Sequence, residues 1–216
     1  MKLQKSILLL FVCLHFSVAC FSQGMGQLFL MLPHEYVSDL NQQERMLLLE
    51  KRSYILPGGD SIETVKYKLD STLRKDYLRF ELSFPTGQSG FTLSELRKFK
   101  RTDGSQILVY SKYAGTPAAY ERVALVVFDI NENQLVEIKE NLLPADLPLS
   151  DFVSKTLADS LIAKTIINLN SFYDLMQSDI EYRVFSHVSI PDGYLAGTAI
   201  PFKWNGKTFI KGEVRE

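Results

Sequence analysis

Hydrophobic and polar residues alternate along much of the chain, and this two-residue period is typical of β-strands with one buried face. The alternation is cleanest over 77–82, where Leu78, Phe80 and Leu82 share a face. The same period predicts further strands at 62–69, 106–113 and 180–185.

The strongest hairpin signal lies in the middle of the chain. Val123–Phe128 is a continuous apolar run, which suits a strand buried on both faces. Asn131-Glu132-Asn133 then supplies residues that tolerate tight turns, and 134–138 is predicted to be the returning strand.

A second hairpin is predicted at the C-terminus, where Asn205-Gly206 favours a type I′ turn between short strands. In that register Lys207 lies nearest Trp204, and Phe209 lies opposite Phe202. Because the aromatic residues share one face, we expect Trp204, the single tryptophan, to anchor a core rather than stack on sugars.

Helical signals are fewer. Asn41 and Glu44 have the spacing of a capping box, with Met46–Leu49 behind them and a Pro-Gly-Gly-Asp turn at 57–60 to end the helix. Another helix is predicted over Ser150–Ala163. Segments 91–101 and 166–176 fit either a helix or a strand. The chain is therefore predicted to have a β-rich α+β fold, with an antiparallel sheet built from hairpins and two or three short helices on one face.

Composition places the chain among ordinary globular proteins. Of its 216 residues, 46% are hydrophobic and 23% are charged, which excludes a disordered or collagen-like chain. The formal net charge of −1 gives no general basic surface, so we expect no nucleic-acid partner. No low-complexity linker divides the chain, and residues 23–216 are predicted to form a single domain.

The N-terminal 22 residues are predicted to be a secretory signal peptide. Lys2 and Lys5 precede the apolar run Ile7–Leu14, and small residues lead to a cleavage site between Ser22 and Gln23. The apolar stretch is too short for a typical membrane-spanning helix, and no later segment is longer. We therefore expect a periplasmic or secreted protein.

Cys20 leaves a second route open. Val18-Ala19-Cys20 is similar to the end of a bacterial lipoprotein signal, in which the cysteine carries the lipid anchor, although Ser17 stands where leucine is usual. Cys13 and Cys20 are the two cysteines of the chain, and both lie inside the leader. The mature domain is therefore expected to have neither a disulfide nor a cysteine nucleophile.

No catalytic, cofactor-binding or metal-binding residue is predicted, because each near-match to a chemical motif lacks a required position. His34-Glu35 begins like the zinc-protease sequence HExxH, but Ser38 stands where the second histidine is needed. Gly87-Gln88-Ser89-Gly90 lacks the final glycine of a nucleophile elbow, since Phe91 follows it.

A calcium loop is also incomplete. Asp129, Asn131, Asn133 and Glu140 have the spacing of calcium ligands, but Gln134 replaces the glycine that makes the sharp turn of an EF-hand. Strands are predicted on both sides of this loop where helices are needed. We therefore expect a structural turn.

Two surface features could serve binding. The basic segment Arg97–Arg101 alternates its charges between two faces, which indicates a solvated face or a guarded edge strand. Tyr110, Tyr113 and Tyr120, if exposed beside Trp204, could stack on sugar rings, but tyrosine is also a common strand residue. We expect a structural use of these aromatic residues.

The leader ending Phe21-Ser22-Gln23, the Met31-Leu32-Pro33 segment, a Leu-rich helix, β-hairpins and the ending Trp204–Phe209 together resemble a family of secreted Bacteroidetes proteins, a domain of unknown function. The resemblance covers the order of elements along most of the mature chain. It implies export, and it brings no known activity and no site residues.

The expected function is that of a non-enzymatic cell-envelope module that binds a protein or glycan partner and needs no cofactor. The alternative is a periplasmic hydrolase that uses carboxylates only, as glycoside cleavage requires no other side chain. Two carboxylates in a deep cleft would favour the hydrolase, and a shallow aromatic face would favour the binding module.

Processing of the leader is the first testable prediction. When the full chain is expressed in a bacterial host, mass spectrometry of the envelope protein should show that residues 1–22 are removed, or that Cys20 is the lipidated first residue, because all three signal regions are present. An envelope protein that still begins with Met1 would contradict it.

Overall fold

A computed structural model describes residues 24–56, 64–70, 75–84, 90–116, 119–132, 134–154, 169–186, 190 and 192–216. The predicted signal peptide, including Cys20, lies outside them. The helices are α1 (Met25–Met31) and α2 (Gln42–Lys51), with 3-10 turns at His34–Tyr36 and Leu149–Asp151. The strands are β1 (Ser53–Leu56), β2 (Val65–Leu69), β3 (Tyr77–Ser83), β4 (Phe91–Lys100), β5 (Gln106–Thr116), β6 (Ala119–Asn131), β7 (Gln134–Glu137), β8 (Asn170–Asp174), β9 (Ile180–Phe185), β10 (Ala199–Trp204) and β11 (Phe209–Lys211).

Both sheets are antiparallel meanders, in which strands adjacent in sequence pair with each other. The large sheet has the order β1-β2-β3-β4-β5-β6-β7, and the small sheet has the order β11-β10-β9-β8. The predicted β-rich α+β class is therefore confirmed. The strands predicted from alternation are also found, and 91–101, which was ambiguous, contains the central strand β4.

The first hydrophobic core lies between the two α-helices and one face of the large sheet. Leu28 and Phe29 of α1 and Leu48 of α2 are fully buried there. They pack with Leu78 and Phe80 of β3, the face that alternation in the sequence identified. The helices thus lie on one face of the sheet, as predicted.

The capping box of α2 is present, although the helix is followed by a strand and not by the predicted turn. The Asn41 side chain accepts hydrogen bonds from the backbone of Gln43 and Glu44, and Glu44 accepts from the Asn41 backbone at 2.8 Å. Arg52 then adopts a left-handed conformation with φ of 63°, and β1 begins at Ser53. Helix α1 was not predicted.

A buried arginine ties the N-terminal segment to α2. Arg45 is 3% exposed and donates hydrogen bonds to the carbonyls of Leu32 at 2.6 Å, Leu40 at 3.1 Å and Val37 at 3.2 Å. These contacts supply donors to carbonyl groups at the end of α1 and before α2, among which the Val37 carbonyl also accepts from the Leu40 N–H.

The second core lies between the other face of the large sheet and the small sheet. Ile107, Val109 and Val127 of the large sheet pack there with Tyr182 and Phe202 of the small sheet. The large sheet is therefore covered on both faces, by helices on one side and by strands on the other.

The small sheet meets the large sheet through the outer edge of β8, the edge that faces away from β9. The Tyr173 carbonyl accepts a hydrogen bond from the Ser111 hydroxyl at 3.0 Å, and the Leu175 N–H donates to Glu95 at 3.0 Å. Because side chains of the large sheet form hydrogen bonds with these backbone groups, the buried N–H and C=O groups along this edge of β8 have partners.

Two predictions about individual elements were wrong in part. Strand β6 is buried on both faces only at Val127 and Phe128, and Val123 is 55% exposed because β6 lies near the side of the sheet. The helix predicted from Ser150 is a 3-10 turn at its start, and 155–163 lies outside the described residues.

The C-terminal hairpin has a four-residue loop in place of the predicted type I′ turn. Asn205 accepts hydrogen bonds from the backbone of Lys207 and Thr208, and this local bonding widens the turn. Trp204 therefore lies opposite Phe209, and the predicted register was wrong.

The aromatic packing predicted for this hairpin is nevertheless present. The Trp204 ring lies 4.7 Å from Phe209 and 5.9 Å from Phe99, between ring centroids, and its N–H donates to the Lys100 carbonyl at 2.7 Å. Trp204 thus joins the last hairpin to β4 of the large sheet. It is partly buried, at the margin of the second core.

Replacement of this ring should destabilise the fold. We predict that Trp204→Ala lowers the free energy of unfolding by about 3 kcal/mol, because it removes a ring packed on two others. The matched control is Ile210→Ala on the neighbouring strand, where the side chain is 53% exposed and the loss should be below about 1 kcal/mol. Urea unfolding measures both, and equal losses would contradict the prediction.

Candidate functional site

A row of polar residues crosses the face of the large sheet that meets the small sheet. Arg79 of β3 lies opposite Glu95 of β4, which lies opposite Ser111 of β5. Asp70, just after β2, donates its backbone N–H to the Arg79 carbonyl and extends the row. Charged groups therefore run from the open side of this face to the point where β8 is docked.

Glu95 is the most deeply buried carboxylate of this row. It is 1% exposed, and its two oxygens accept hydrogen bonds from the Tyr77 hydroxyl at 2.6 Å and from the Leu175 N–H. Burial raises the pKa of Glu95 to about 7, against the opposing effect of these two donors. Both oxygens are thus used by the fold itself.

Arg97, two residues further along β4, holds the chain that follows β8. It donates hydrogen bonds to the carbonyls of Leu175 at 3.1 Å, Gln177, and Ser178 at 2.8 Å, and it lies over the ring of Phe99. The expected solvated or edge position of the basic segment was wrong here, because β4 lies between β3 and β5 and Arg97 is buried.

Beside this buried region, an open pocket of about 240 Å³ is lined by Lys68, Asp70, Arg79 and Glu81. Lys68 and Glu81 lie opposite each other on β2 and β3. Within the part of the chain that the structure describes, neither forms an ion pair within 4.0 Å. Their charges remain available to a ligand.

Five aromatic rings cluster between the two sheets on the same face. This aromatic cluster consists of Phe91, Tyr113, Tyr120, Phe172 and Phe185. Tyr113 and Phe172 join the sheets with 4.8 Å between centroids, and Tyr120 stacks on Phe185 at 4.0 Å. All except Tyr113 are partly exposed.

A β-bulge in β6 places one of these rings. Lys112 faces Ala124, but Tyr113 faces Arg122, so Val123 is an extra residue on β6. An extra residue reverses which face the preceding side chains occupy, and bulges are frequent beside functional sites for this reason.

The bulge brings Tyr120 to the face that carries Tyr113. Gly115 lies between Phe91 and Tyr120 in the register, and because it has no side chain the two rings approach to 5.7 Å. A Cβ at Gly115 would lie 2.5 Å from the Cα of Tyr120. Sequence reasoning singled out Tyr120 but gave no sign of the bulge.

The other tyrosine and tryptophan candidates do not join this cluster. Tyr110 is fully buried in the first core, where its hydroxyl donates to the Tyr36 carbonyl at 2.9 Å. Trp204 packs at the other end of β4, whereas Tyr113 belongs to the cluster and is 7% exposed. The expectation of structural use thus holds for Tyr110 and Trp204.

An ionic network lines the small sheet next to the aromatic cluster. Arg183 lies 3.2 Å from Asp174 and also contacts Glu181, which Arg215 contacts from the C-terminal segment. Burial raises the pKa of Tyr120, while Arg183 lowers it and Asp174 raises it by smaller amounts. Charges of both signs therefore lie near the cluster.

The remaining motif candidates lie elsewhere. His34 is exposed at the start of a 3-10 turn, while Ser89 and His187 lie outside the described residues. Asp129 forms an ion pair with Arg101. In the described ranges, no three His, Cys, Asp or Glu side chains are grouped to hold a metal ion.

The buried Glu95 should make stability depend on pH. Its folded pKa of about 7 exceeds its ordinary value of 4.5, so the folded state binds the proton more tightly than the unfolded state. This stabilising contribution, about 3 kcal/mol, is fully present below about pH 4.5 and is lost as the pH rises through about 7. Urea unfolding from pH 4 to 8 should show the decline.

Glu95→Gln should remove this decline because glutamine does not titrate. Its amide oxygen can still accept a hydrogen bond from either the Tyr77 hydroxyl or the Leu175 N–H. Glu50→Gln, on the exposed side of α2, is the control and should retain the wild-type dependence. A Glu95→Gln protein with an unchanged pH dependence would contradict the assignment.

The comparisons bear on the fold. No protein-family model matches the sequence, and no curated protein matches it. Within the part of the chain described, no helix has the length and apolar character to cross a membrane.

The structure is similar to that of a domain of an uncharacterized protein from Porphyromonas gingivalis W83, with a TM-score of 0.58. The two sequences are 12% identical, and the match covers 87% of this chain and 97% of that one. P. gingivalis is a Bacteroidetes bacterium, so the resemblance found in the sequence is confirmed at the level of the fold.

Proposed function

We propose that this protein is exported to the cell envelope and binds a protein or glycan partner there, without chemistry of its own. The observation that carries the proposal is the open pocket in which Lys68 and Glu81 face each other and form no ion pair with any described residue. Charged side chains that converge on a pocket in this way are the kind of polar groups that orient a ligand.

The aromatic cluster supports the same proposal. Tyr113 of β5 lies opposite Leu93 of β4, which lies opposite the pocket residue Glu81 of β3. Partly exposed rings beside convergent polar groups are typical of surfaces that bind sugars or protein side chains. The pocket and the cluster thus lie on the same face of the large sheet, with Leu93 between them.

The carboxylate hydrolase is the weaker alternative. A raised pKa near 7 is what a general acid needs, and Glu95 has it. A general acid must also reach its substrate, whereas Glu95 is 1% exposed and both of its oxygens accept hydrogen bonds from the fold. We therefore assign Glu95 to the docking of the small sheet.

The proposal is tested by immobilising residues 23–216 and passing over solubilised envelope material from the native host. The wild type should retain a defined protein or sugar component, measured by mass spectrometry and sugar analysis. The double variant Lys68→Gln/Glu81→Gln should retain at least ten-fold less of it, because the pocket loses both unpaired charges.

The matched control is Lys207→Gln/Glu50→Gln, which neutralises one cation and one anion at exposed positions on other elements. It should retain as much as the wild type. Equal retention by all three proteins would overturn the binding proposal. Release of reducing sugar ends from envelope glycans by the wild type but not by Glu95→Gln would favour the hydrolase.

A further inference from the structure

Resting on the proposed function, we infer that the pocket lined by Lys68, Asp70, Arg79 and Glu81 recognises a dipolar ion, namely the ammonium and carboxylate of a free amino acid or a short peptide. In this arrangement the ligand carboxylate pairs with Lys68 and the ligand ammonium pairs with Glu81.

The charges of the pocket alternate in two directions. Along β2 and its end, Lys68 is followed two residues later by Asp70, and along β3, Arg79 is followed by Glu81. Across the strands, Lys68 faces Glu81 and Asp70 faces Arg79. Each positive group therefore has a negative group beside it on both sides.

This alternation disfavours ions of a single sign. An anion drawn to Lys68 meets the carboxylate of Glu81 on the facing strand, about 5 Å away in backbone spacing. A cation drawn to Glu81 meets Lys68 in the same way. A ligand that carries both charges is attracted at each end and repelled at neither. The pattern of charge therefore selects a dipolar ligand over a simple anion or cation.

The pocket also limits the size of the ligand. Its volume of about 240 Å³ lies below the range common for drug-sized ligands, and it suits a single small polar group. Arg79 lies opposite the buried Glu95 on the neighbouring strand, so one wall of the pocket adjoins the docked region. Lys68 is exposed and remains free to close on a carboxylate.

The test uses four probes with residues 23–216, titrated by calorimetry or by NMR shift. Alanine and alanyl-alanine carry both charges, N-acetyl-alanyl-alanine lacks the ammonium, and alanyl-alanine amide lacks the carboxylate. At least one of the two dipolar probes should bind saturably, and each blocked dipeptide should bind at least ten-fold more weakly. Comparison of alanine with alanyl-alanine tells which spacing of the two charges fits.

Single variants assign the two ends of the ligand. Lys68→Gln should weaken the dipolar probe about ten-fold without changing the amide, and Glu81→Gln should weaken it without changing the acetylated dipeptide. Lys207→Gln and Glu50→Gln should change nothing. Equal binding of blocked and unblocked probes, or no binding of either dipolar probe, would overturn this inference.

The outcome is separable from that of the envelope experiment. If the envelope component is retained through Lys68 and Glu81 but neither dipolar probe binds, the dipolar ligand is wrong and the binding module stands. If a dipolar probe binds and no envelope component is retained, the ligand class stands and the larger partner is wrong.

Discussion

The docking of one β8 edge on the side chains of β4 and β5 sets the position of the small sheet. A buried strand edge presents backbone groups that cost several kcal/mol if they find no partner. Here Glu95 accepts from the Leu175 N–H, Ser111 donates to the Tyr173 carbonyl, and Arg97 donates to the carbonyls that follow. These contacts fix which residues of the large sheet are covered and which remain open to a ligand.

This docking removes the Glu95 carboxylate and the Arg97 guanidinium from water, and their desolvation costs free energy. A hydrophobic interface of equal size would avoid that cost, but it could not satisfy the edge of a strand. Arg97 finds carbonyl acceptors and Glu95 finds two donors, so each charge is hydrogen-bonded where it is buried. The polar contacts therefore specify one register between the sheets, while the aromatic and aliphatic residues of the second core supply the burial.

The open surface results from the same arrangement. Among the described residues, the second core includes Tyr77 at the start of β3 and no residue of β2, so the charged residues of the pocket on β2 and β3 stay open at the side. The bulge at Val123 and the absence of a side chain at Gly115 bring Tyr120 towards Phe91 and complete the aromatic cluster. Local features of β5 and β6 thus decide which aromatic rings lie on the face of the sheet that carries the pocket.

The sequence alone determined the strands that alternate cleanly, the capping box of α2 and the α+β class, since alternation and capping depend on neighbours along the chain. It left β4 and β8 open between helix and strand, and it did not predict β1. Tertiary structure decided the rest. Arg97 lies in a basic segment that, from the sequence alone, is expected to be exposed. It is buried because the carbonyls of Leu175 and Ser178, about 80 residues away in the chain, accept its hydrogen bonds. Lys68 and Glu81 share a pocket through the pairing of β2 with β3, and Tyr120 reaches the aromatic cluster through a bulge. Such contacts depend on strand register and on the docking of two sheets, and no local pattern of residues encodes either.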